Sequence, residues 1–412
     1  MAQPGKPVLR DLEPVLFPEV NAVSNLKIST PEEVKKWCEE LGLPCDLTPM
    51  NELDDVESED VIYHSPEFFD PDRLEASWAL ITSARKALHV PYPLPQIPVL
   101  YEIRPQEGKG LCMVAKHDIE TGYPIMFEHP LVMIPRVIRG IPMPYNTESM
   151  LKIVVDRLEE PLKEKFLSLR NCKTAEEAGP MEGILRTNAL GATLSGATIK
   201  EWGDYLAVPL DISRARHSCS PNAAYSWDEK TYSFILYALR PIARGEEVCI
   251  SFTATEEPRD LRQKRLKTIY KFDCKCSACD LPDARSILES DKRRQIVKHW
   301  HEEEIYQFED WVHSEDDAKT LLKSWWRVIE AHEKEGLDIP FKALYTMTMM
   351  HYALGHQVSF QQWAKQLAGA MRINAWKRMD SRYVDGLYSL LFAVQNPHTR
   401  SKTWGCKAPQ RR

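Results

Sequence analysis

Three cysteines fall within six residues, in the run Cys274-Lys275-Cys276-Ser277-Ala278-Cys279. Thiolates are soft ligands suited to zinc, and spacing this close lets one loop wrap an ion. A tetrahedral site needs a fourth donor. Cys219, in the turn Cys219-Ser220-Pro221-Asn222, is the first candidate, and Cys172 and His217 are the alternatives of suitable type. The other cysteines of the 412-residue chain (Cys38, Cys45, Cys112, Cys172, Cys249 and Cys406) lie far apart. The opening stretch, MAQPGKPVLRDLEPVLFPEV, carries no apolar core of signal-peptide type. A tight cysteine group in such a chain reads as metal ligands, not disulfides, and the expected compartment is a reducing one, nucleus or cytoplasm.

Three further segments carry little weight singly. Gly108-Lys109-Gly110 is a tight turn after an apparent strand. Arg216-His217-Ser218-Cys219-Ser220-Pro221-Asn222 is a polar island before another strand, with Pro and Asn suited to a turn. Arg240 to Glu247 is a turn through Gly245, and it leads into the strand-like run Val248-Cys249-Ile250-Ser251-Phe252. Tyr270 and Phe272 stand just before the cysteine run.

Taken in order with the cysteines, these segments resemble the SET-domain family. The likeness is greatest to its SMYD-like branch, here in a fungal-type form lacking the MYND zinc finger, and it covers roughly residues 99 to 280. The family places a G-x-G turn first, then N-H-S-C-x-P-N, then G-E-E before a strand ending in tyrosine, then C-x-C-x-x-C. The resemblance implies a β fold with a pseudoknot-like core, a helical insert, a zinc-bound post-SET loop and a helical C-terminal region. It implies a protein-lysine N-methyltransferase using S-adenosyl-L-methionine (SAM), acting on a histone or non-histone protein or peptide, with chromatin association among the implied settings. Lys109, Gly110, Asn188, Arg216, His217 and Phe272 take the cofactor-binding positions. Tyr270 and Phe252 take the catalytic ones, and Cys219, Cys274, Cys276 and Cys279 would share one Zn²⁺.

Two positions depart from the family pattern. Where the family has asparagine before the histidine, this chain has Arg216, which lacks an acceptor and carries a fixed positive charge. Such a charge is expected to repel an ammonium and a sulfonium, or to grip a carboxylate. Where the family ends its strand in tyrosine, this chain has Phe252, which keeps the shape and loses the hydroxyl. A SET fold without lysine methylation, acting as a partner-binding scaffold or a small-molecule-binding, biosynthetic protein, is therefore the alternative reading, a pseudoenzyme with respect to methyl transfer.

The elements that must position these residues divide the chain. Residues 1–98 read as an irregular region with two short helices, one starting near Thr30 and one over about 72–88, followed by a proline-rich linker. Short β segments at Tyr101–Arg104, Leu111–Ala115, Ile125–Glu128 and Leu131–Ile134 open a SET segment over 99–257, interrupted by a charged helical insert over about 147–190. Strand patterns return at Ala223–Trp227, Ser233–Ala238 and Glu247–Phe252. A zinc segment over 258–280, a helical region over 281–396 and a basic tail over 397–412 follow. Ile287, Ile296, Val297 and Trp300 mark one C-terminal helix, Leu321 to Ile329 a second and Met347 to Leu354 a third, their Trp and Met stripes suited to a core. His299 and His301 flank Trp300 but point to different helix faces. The fold class is α+β, not an alternating parallel sheet. A formal net charge of -7 argues against direct nucleic-acid binding, and no run of eighteen apolar residues predicts a membrane span.

Overall fold

The computed structural model describes residues 94–108, 110–135, 147–193, 204–228, 231–300, 308–314, 317–376 and 405–407. The two N-terminal helices expected near Thr30 and over 72–88, Lys109, His301 and most of the basic tail lie outside them. The described residues form an α+β fold: ten short strands, three insert helices and a helical C-terminal layer.

Strands β1 (Tyr101–Gln106) and β2 (Gly110–Ala115) pair as an antiparallel hairpin in the register Gln106↔Gly110. Gly108 and Gly110 both have positive φ, +68° and +74°, in the region glycine enters without strain. Strand β3 (Pro124–Glu128) pairs antiparallel with β9 (Ser233–Ala238), and β9 with β8 (Ala223–Asp228). Every residue of β9 is buried, as its apolar composition requires of a central strand. Strands β4 (Val132–Pro135), β6 (Asp204–Val208) and β5 (Leu190–Thr193) form a third sheet. The sequence pattern did not announce β5 and β6. Both are short, and β5 starts with a small Leu-Gly-Ala-Thr run of weak strand character.

Between these sheets lie α1 (Thr147–Asp156), α2 (Glu160–Leu167) and α3 (Pro180–Asn188), where the charged helical insert was expected. Pro161 and Pro180 sit in the first turns of α2 and α3, the helix positions that tolerate a missing N–H. The insert contributes Leu151, Val155, Phe166 and Leu185 to the same core as Met113, Ile125, Phe234 and Leu236.

The knot-like feature lies at β7 (Arg216–His217) and β10 (Cys249–Ile250), which pair in parallel. Val248 N–H donates to Met113 O at 2.9 Å and Ala115 N–H to Glu246 O at 2.9 Å, so the segment entering β10 also runs against β2. Asn222, 2% exposed, locks the crossing. Its Nδ2 donates to Glu247 O at 2.8 Å and to Glu246 Oε1 at 2.9 Å, and its Oδ1 accepts from Cys249 N–H at 2.8 Å.

Beyond residue 258 the described chain is helical: α4 (Arg259–Tyr270), α5 (Ala284–His299), α6 (Phe308–His313), α7 (Ala318–Glu335), α8 (Phe341–Ala353) and α9 (Gln357–Trp376). Asp283 and Asp317 cap α5 and α7 by accepting from Ser286 N–H and Lys319 N–H, and Gly336 ends α7 at φ +63°. The tryptophan and methionine stripes are core: Trp311 and Trp325 are buried among Met347, Met350 and Leu367. Helix α9 returns to the β body, where Ile373 packs with Ile235, Tyr237 and Leu239. Among the described residues no helix is long and apolar enough to cross a membrane.

Candidate active site and zinc centre

The segment carrying Arg216 to Asn222 is set by a part-buried carboxylate. Glu128, at the end of β3, accepts from the N–H groups of Leu210 and Asp211 through Oε1 (2.7 and 2.8 Å) and of Ile212 through Oε2 (2.9 Å). These are orphan donors at the start of the 3₁₀ turn Ile212–Arg214, whose exit is β7. Burial pushes the Glu128 carboxyl up to about 7, against the three N–H groups that favour its charge.

The histidine ring follows from β7 pairing with β10. Phe252 N–H donates to His217 Nδ1 at 3.0 Å, so the ring proton sits on Nε2, which lies 3.2 Å from Cys219 Sγ and donates to it. Burial lowers His217 to about 4, which keeps the ring neutral. His217 thus hydrogen-bonds Cys219 and stands outside the group of four sulfurs.

Cys219 is the donor that completes the cluster. One sulfur each from Cys219, Cys274, Cys276 and Cys279 lie within 4.8 Å of one another, three of the residues being buried. Cys172 stands elsewhere: it accepts from Thr187 Oγ1 at 3.2 Å and donates to Ile269 O. A tetrahedral zinc with Zn–S of about 2.3 Å has sulfur–sulfur edges of about 3.8 Å. Cys219 and Cys279 are 3.5 Å apart, so the cluster needs only small shifts to meet that geometry. Hydrogen bonds from its neighbours hold Cys276 well below the ordinary thiol range, whereas bonding to the other sulfurs pushes Cys274 up. Four sulfurs this close cannot all ionise without a cation among them, and that is the chemistry zinc supplies.

Helix α4 and the turn after it deliver three of these sulfurs. Arg262, Leu266 and Tyr270 recur at four-residue spacing on its inner face, and Arg262 and Leu266 are fully buried. Lys271, at φ +60°, ends the helix and turns the chain toward Phe272 and Cys274. Gln263 holds the return: its Nε2 donates to Cys274 O at 2.7 Å, and Cys274 N–H donates to its Oε1 at 3.0 Å. Cys279 N–H and Asp280 N–H both close onto Cys276 O.

The aromatic positions converge on the same place. Phe252 lies 5.0 Å from Tyr270 and 5.4 Å from His217 between ring centroids, and Phe272 lies 6.0 Å from His217. Burial, with Cys172 nearby, holds the Tyr270 phenol above its ordinary pKa, so it stays protonated. Tyr225, which the sequence did not single out, is raised by burial and by Tyr270. It lines a cavity of about 260 Å³ with Ile250, Ser251, Thr253 and Glu256. The only sequence signal for it is an aromatic residue on β8, which is equally a core signal.

The remaining predicted positions are placed as follows. Gly108 and Gly110 flank the β1–β2 turn, and a β-carbon added to either would meet nothing within 4 Å, so backbone conformation and not crowding demands glycine. Beside this turn a depression of about 420 Å³ is lined by Arg104, Gln106, Glu107, Cys112 and Glu247. Asn188, at the end of α3, spends its Nδ2 on Arg170 O and Ile184 O, both at 2.7 Å. Arg216 does not present a free charge. Its guanidinium donates to both oxygens of Glu247 and to Gln106 Oε1. The repulsion expected from an uncompensated arginine is therefore cancelled locally by Glu247, an acid whose partner the sequence could not identify.

Residues 110–253 match the SET domain family model. This stretch of the chain is a SET domain. The chain is 28% identical over 205 residues to the Schizosaccharomyces pombe "Histone-lysine N-methyltransferase set5", covering 49% of this chain and 57% of that one. It is 39% identical over 88 residues to the Danio rerio "Protein-lysine N-trimethyltransferase SMYD5", 19% of this chain and 21% of that one. To the Arabidopsis thaliana "Histone-lysine N-methyltransferase ATXR2" it is 45% identical over 73 residues, 17% of this chain and 15% of that one. The matched part thus spans just over half of the first relative and about a fifth or less of the other two. Among solved structures, the SET domain of LSMT bound to lysine and AdoHcy aligns at 12% identity over 78% of this chain and 92% of that one, with a TM-score of 0.28.

Proposed function

We propose that this chain is a SAM-dependent protein-lysine N-methyltransferase of SET type, acting on a protein or peptide in the nucleus or cytoplasm, with Zn²⁺ held by Cys219, Cys274, Cys276 and Cys279. The observation that supports it most is convergence. His217, Phe252, Tyr270 and Phe272, drawn from three separate segments, pack around each other directly beside the four-sulfur cluster. The working division is a SET segment over 99–257, a zinc segment over 258–280 and a helical region over 281–396.

SAM supplies an electrophilic methyl group on a sulfonium. The glycine turn at 108–110 with Lys109, together with Asn188, His217 and Phe272, are the residues we assign to hold it, and Arg216 contributes its main chain there because Glu247 engages its guanidinium. The open space around Gly108 and Gly110 and the adjoining depression suit a ligand of that kind. Phe252 and Tyr270 pack together as one aromatic surface, and a lysine amine lying against it loses water, which penalises the ammonium and drives the amine toward its neutral, nucleophilic form. Tyr270 then carries the polar contact: its protonated phenol accepts from the amine and fixes the direction of the lone pair.

One observation favours a second reading. Phe252 has no hydroxyl at the position where the family pattern has one, and a lost preorganised contact typically costs ~10²–10³ in rate. A SET-fold protein acting by partner or small-molecule binding meets that observation directly. Transfer of tritiated methyl from SAM into a cell lysate, by the wild type and by Phe252→Tyr, separates the readings. Transfer by the wild type, raised ~10²–10³-fold in the variant, supports the enzyme. Transfer by the variant alone supports the second reading, and transfer by neither sinks the first.

A further inference from the structure

Two arginines with no exposed surface flank the cysteine cluster, and neither belongs to any motif in the sequence. Arg262, on α4, is 0% exposed; its Nη2 lies 3.9 Å from Cys279 Sγ and 3.3 Å from Ala278 O, and its Nη1 donates to Glu257 O. Its Nε has no hydrogen-bond partner among the described residues. Arg294, on α5, is also 0% exposed. Its Nη2 donates to Cys219 O at 3.2 Å, its Nη1 to Thr255 O, and its Nε lies 2.9 Å from Glu335 Oε2.

The charges around them do not balance within the protein alone. Glu335, 4% exposed at the end of α7, is the carboxylate paired with Arg294, and it is shared with Arg293, whose Nε lies 2.7 Å from Oε1. The carboxylate of Glu257 is taken by Lys298 at 3.0 Å. Among the described ion pairs, Glu335 is paired with Arg294 and with the part-exposed Arg293, and Arg262 has no carboxylate partner, which leaves its positive charge buried and uncompensated beside four sulfurs. Unpaired buried charge is strongly unfavourable. A zinc ion with four thiolates carries a net charge of two minus, and the four sulfurs gathered here supply that negative charge beside the two arginines.

We infer that Arg262 and Arg294 are the counter-charges of a four-thiolate zinc site, with Glu335 of the C-terminal helices holding Arg294 in place. The inference rests on the reading that the four cysteines hold zinc. Glu335 is itself fixed against the cysteine segment. Ser220, next to Cys219, donates through Oγ to Glu335 O. Ser290 on α5 donates to Glu335 Oε2 at 2.7 Å, and a β-carbon on Gly336 would come within 3.2 Å of Ser220 Cβ. Arg262 and Arg294 are positioning residues: they touch the ligands and their carbonyls, not a reactant.

The test is zinc affinity of the full chain by competition with a chromogenic chelator, with circular dichroism to verify folding. Arg262→Met and Arg294→Met each weaken zinc binding ~10–100-fold, the range typical for groups supporting metal ligands, while Arg262→Lys retains most of the affinity. Glu335→Gln removes negative charge from the network; it lowers thermal stability but binds zinc at least as tightly as the wild type. Wild-type affinity in both Met variants, or equal losses in Arg262→Met and Arg262→Lys, overturns the counter-charge role. A Glu335→Gln loss matching that of the Met variants overturns it too, and this comparison decides the matter if a Met variant does not fold. A wild type that takes up no zinc instead overturns the metal reading beneath it.

Discussion

Replacing Asn222 by alanine tests whether one buried amide holds the crossing on which the site is built. The side chain makes three hydrogen bonds of 2.8–2.9 Å, to Glu247 O, Glu246 Oε1 and Cys249 N–H. Glu246 keeps Arg240 at 2.8 Å and Ala243 N–H at 3.1 Å, so its carboxylate is not stranded. Cys249 N–H and Glu247 O lose this partner in a place water reaches poorly. An unmade buried bond costs ~1–3 kcal/mol, so Asn222→Ala is expected to cost about 2–4 kcal/mol. Asn222→Asp keeps the acceptor for Cys249 N–H but sets a carboxylate against Glu246 and a carbonyl, and it should cost at least as much. Hydrogen exchange by mass spectrometry is the appropriate assay, because a chain with several packed parts need not unfold in one step. Peptides covering 216–224 and 246–252 should lose protection together, while those from α8 and α9 keep theirs. Unchanged protection in both segments, with stability within ~0.5 kcal/mol of wild type, would refute the assignment of Asn222 as the lock.

Three other outcomes are expected. Arg216→Asn strips Glu247 of its two-pronged partner and should lower stability by about 1–2 kcal/mol while leaving SAM affinity by calorimetry nearly unchanged; a tenfold gain in affinity would show that the arginine charge reaches the ligand after all. Burial raises the Glu128 carboxyl above its unfolded value, so the folded state holds the extra proton between roughly pH 4.5 and 7 and stability falls as pH rises through that window. Glu128→Gln should flatten that dependence in urea titrations, at the cost of one of its N–H contacts, and an unchanged slope would count against the part-buried carboxylate. Stripping metal with a chelator should loosen residues 216–222 and 270–280, with recovery on adding Zn²⁺ but not Mg²⁺, a hard ion poorly matched to sulfur; protection that survives chelation would remove zinc from the account.

The parts of the fold visible in the sequence are those where a local rule and the tertiary environment agree. The β9 run Ser233–Ala238 is largely apolar and is a buried central strand, and the Trp and Met stripes of α7 and α8 form one core. Strands β5 and β6 escaped notice because pairing across a sheet, not local composition, makes them strands. The cysteine run was legible for the same local reason; Cys219 was the first of three candidates by residue type and the fourth ligand by family resemblance, and the β7–β10 crossing brings it across 55 residues to Cys274. Glu128, Arg262, Arg294 and Glu335 gave no signal, since a lone charged residue in sequence is ordinarily a solvated one. What distinguishes them is burial with partners far along the chain, as with the separation of 75 residues between Arg294 and Cys219.

The structure also separates the residues that hold the site from those that would act in it. Asn222, His217 and Cys219 are committed to the fold through their side chains: Asn222 to Cys249 and Glu247, His217 to Phe252 N–H, Cys219 to the sulfur cluster. All three keep the family's residue. The two departures, Arg216 and Phe252, fall where the fold asks for less. Phe252 serves the architecture through its backbone N–H and the face of its ring, and neither needs a hydroxyl. Arg216 serves it through an ion pair with Glu247 that takes the side chain out of the reaction's path. A hydroxyl restored at position 252 should therefore leave the crossing, the sulfur cluster and the aromatic contacts as they are. Any change in methyl transfer that follows it reports on chemistry alone. A Phe252→Tyr variant that instead loses protection at 216–224 would mean that the ring's apolar edge is itself part of the lock, and the division between holding and acting would fail at that residue.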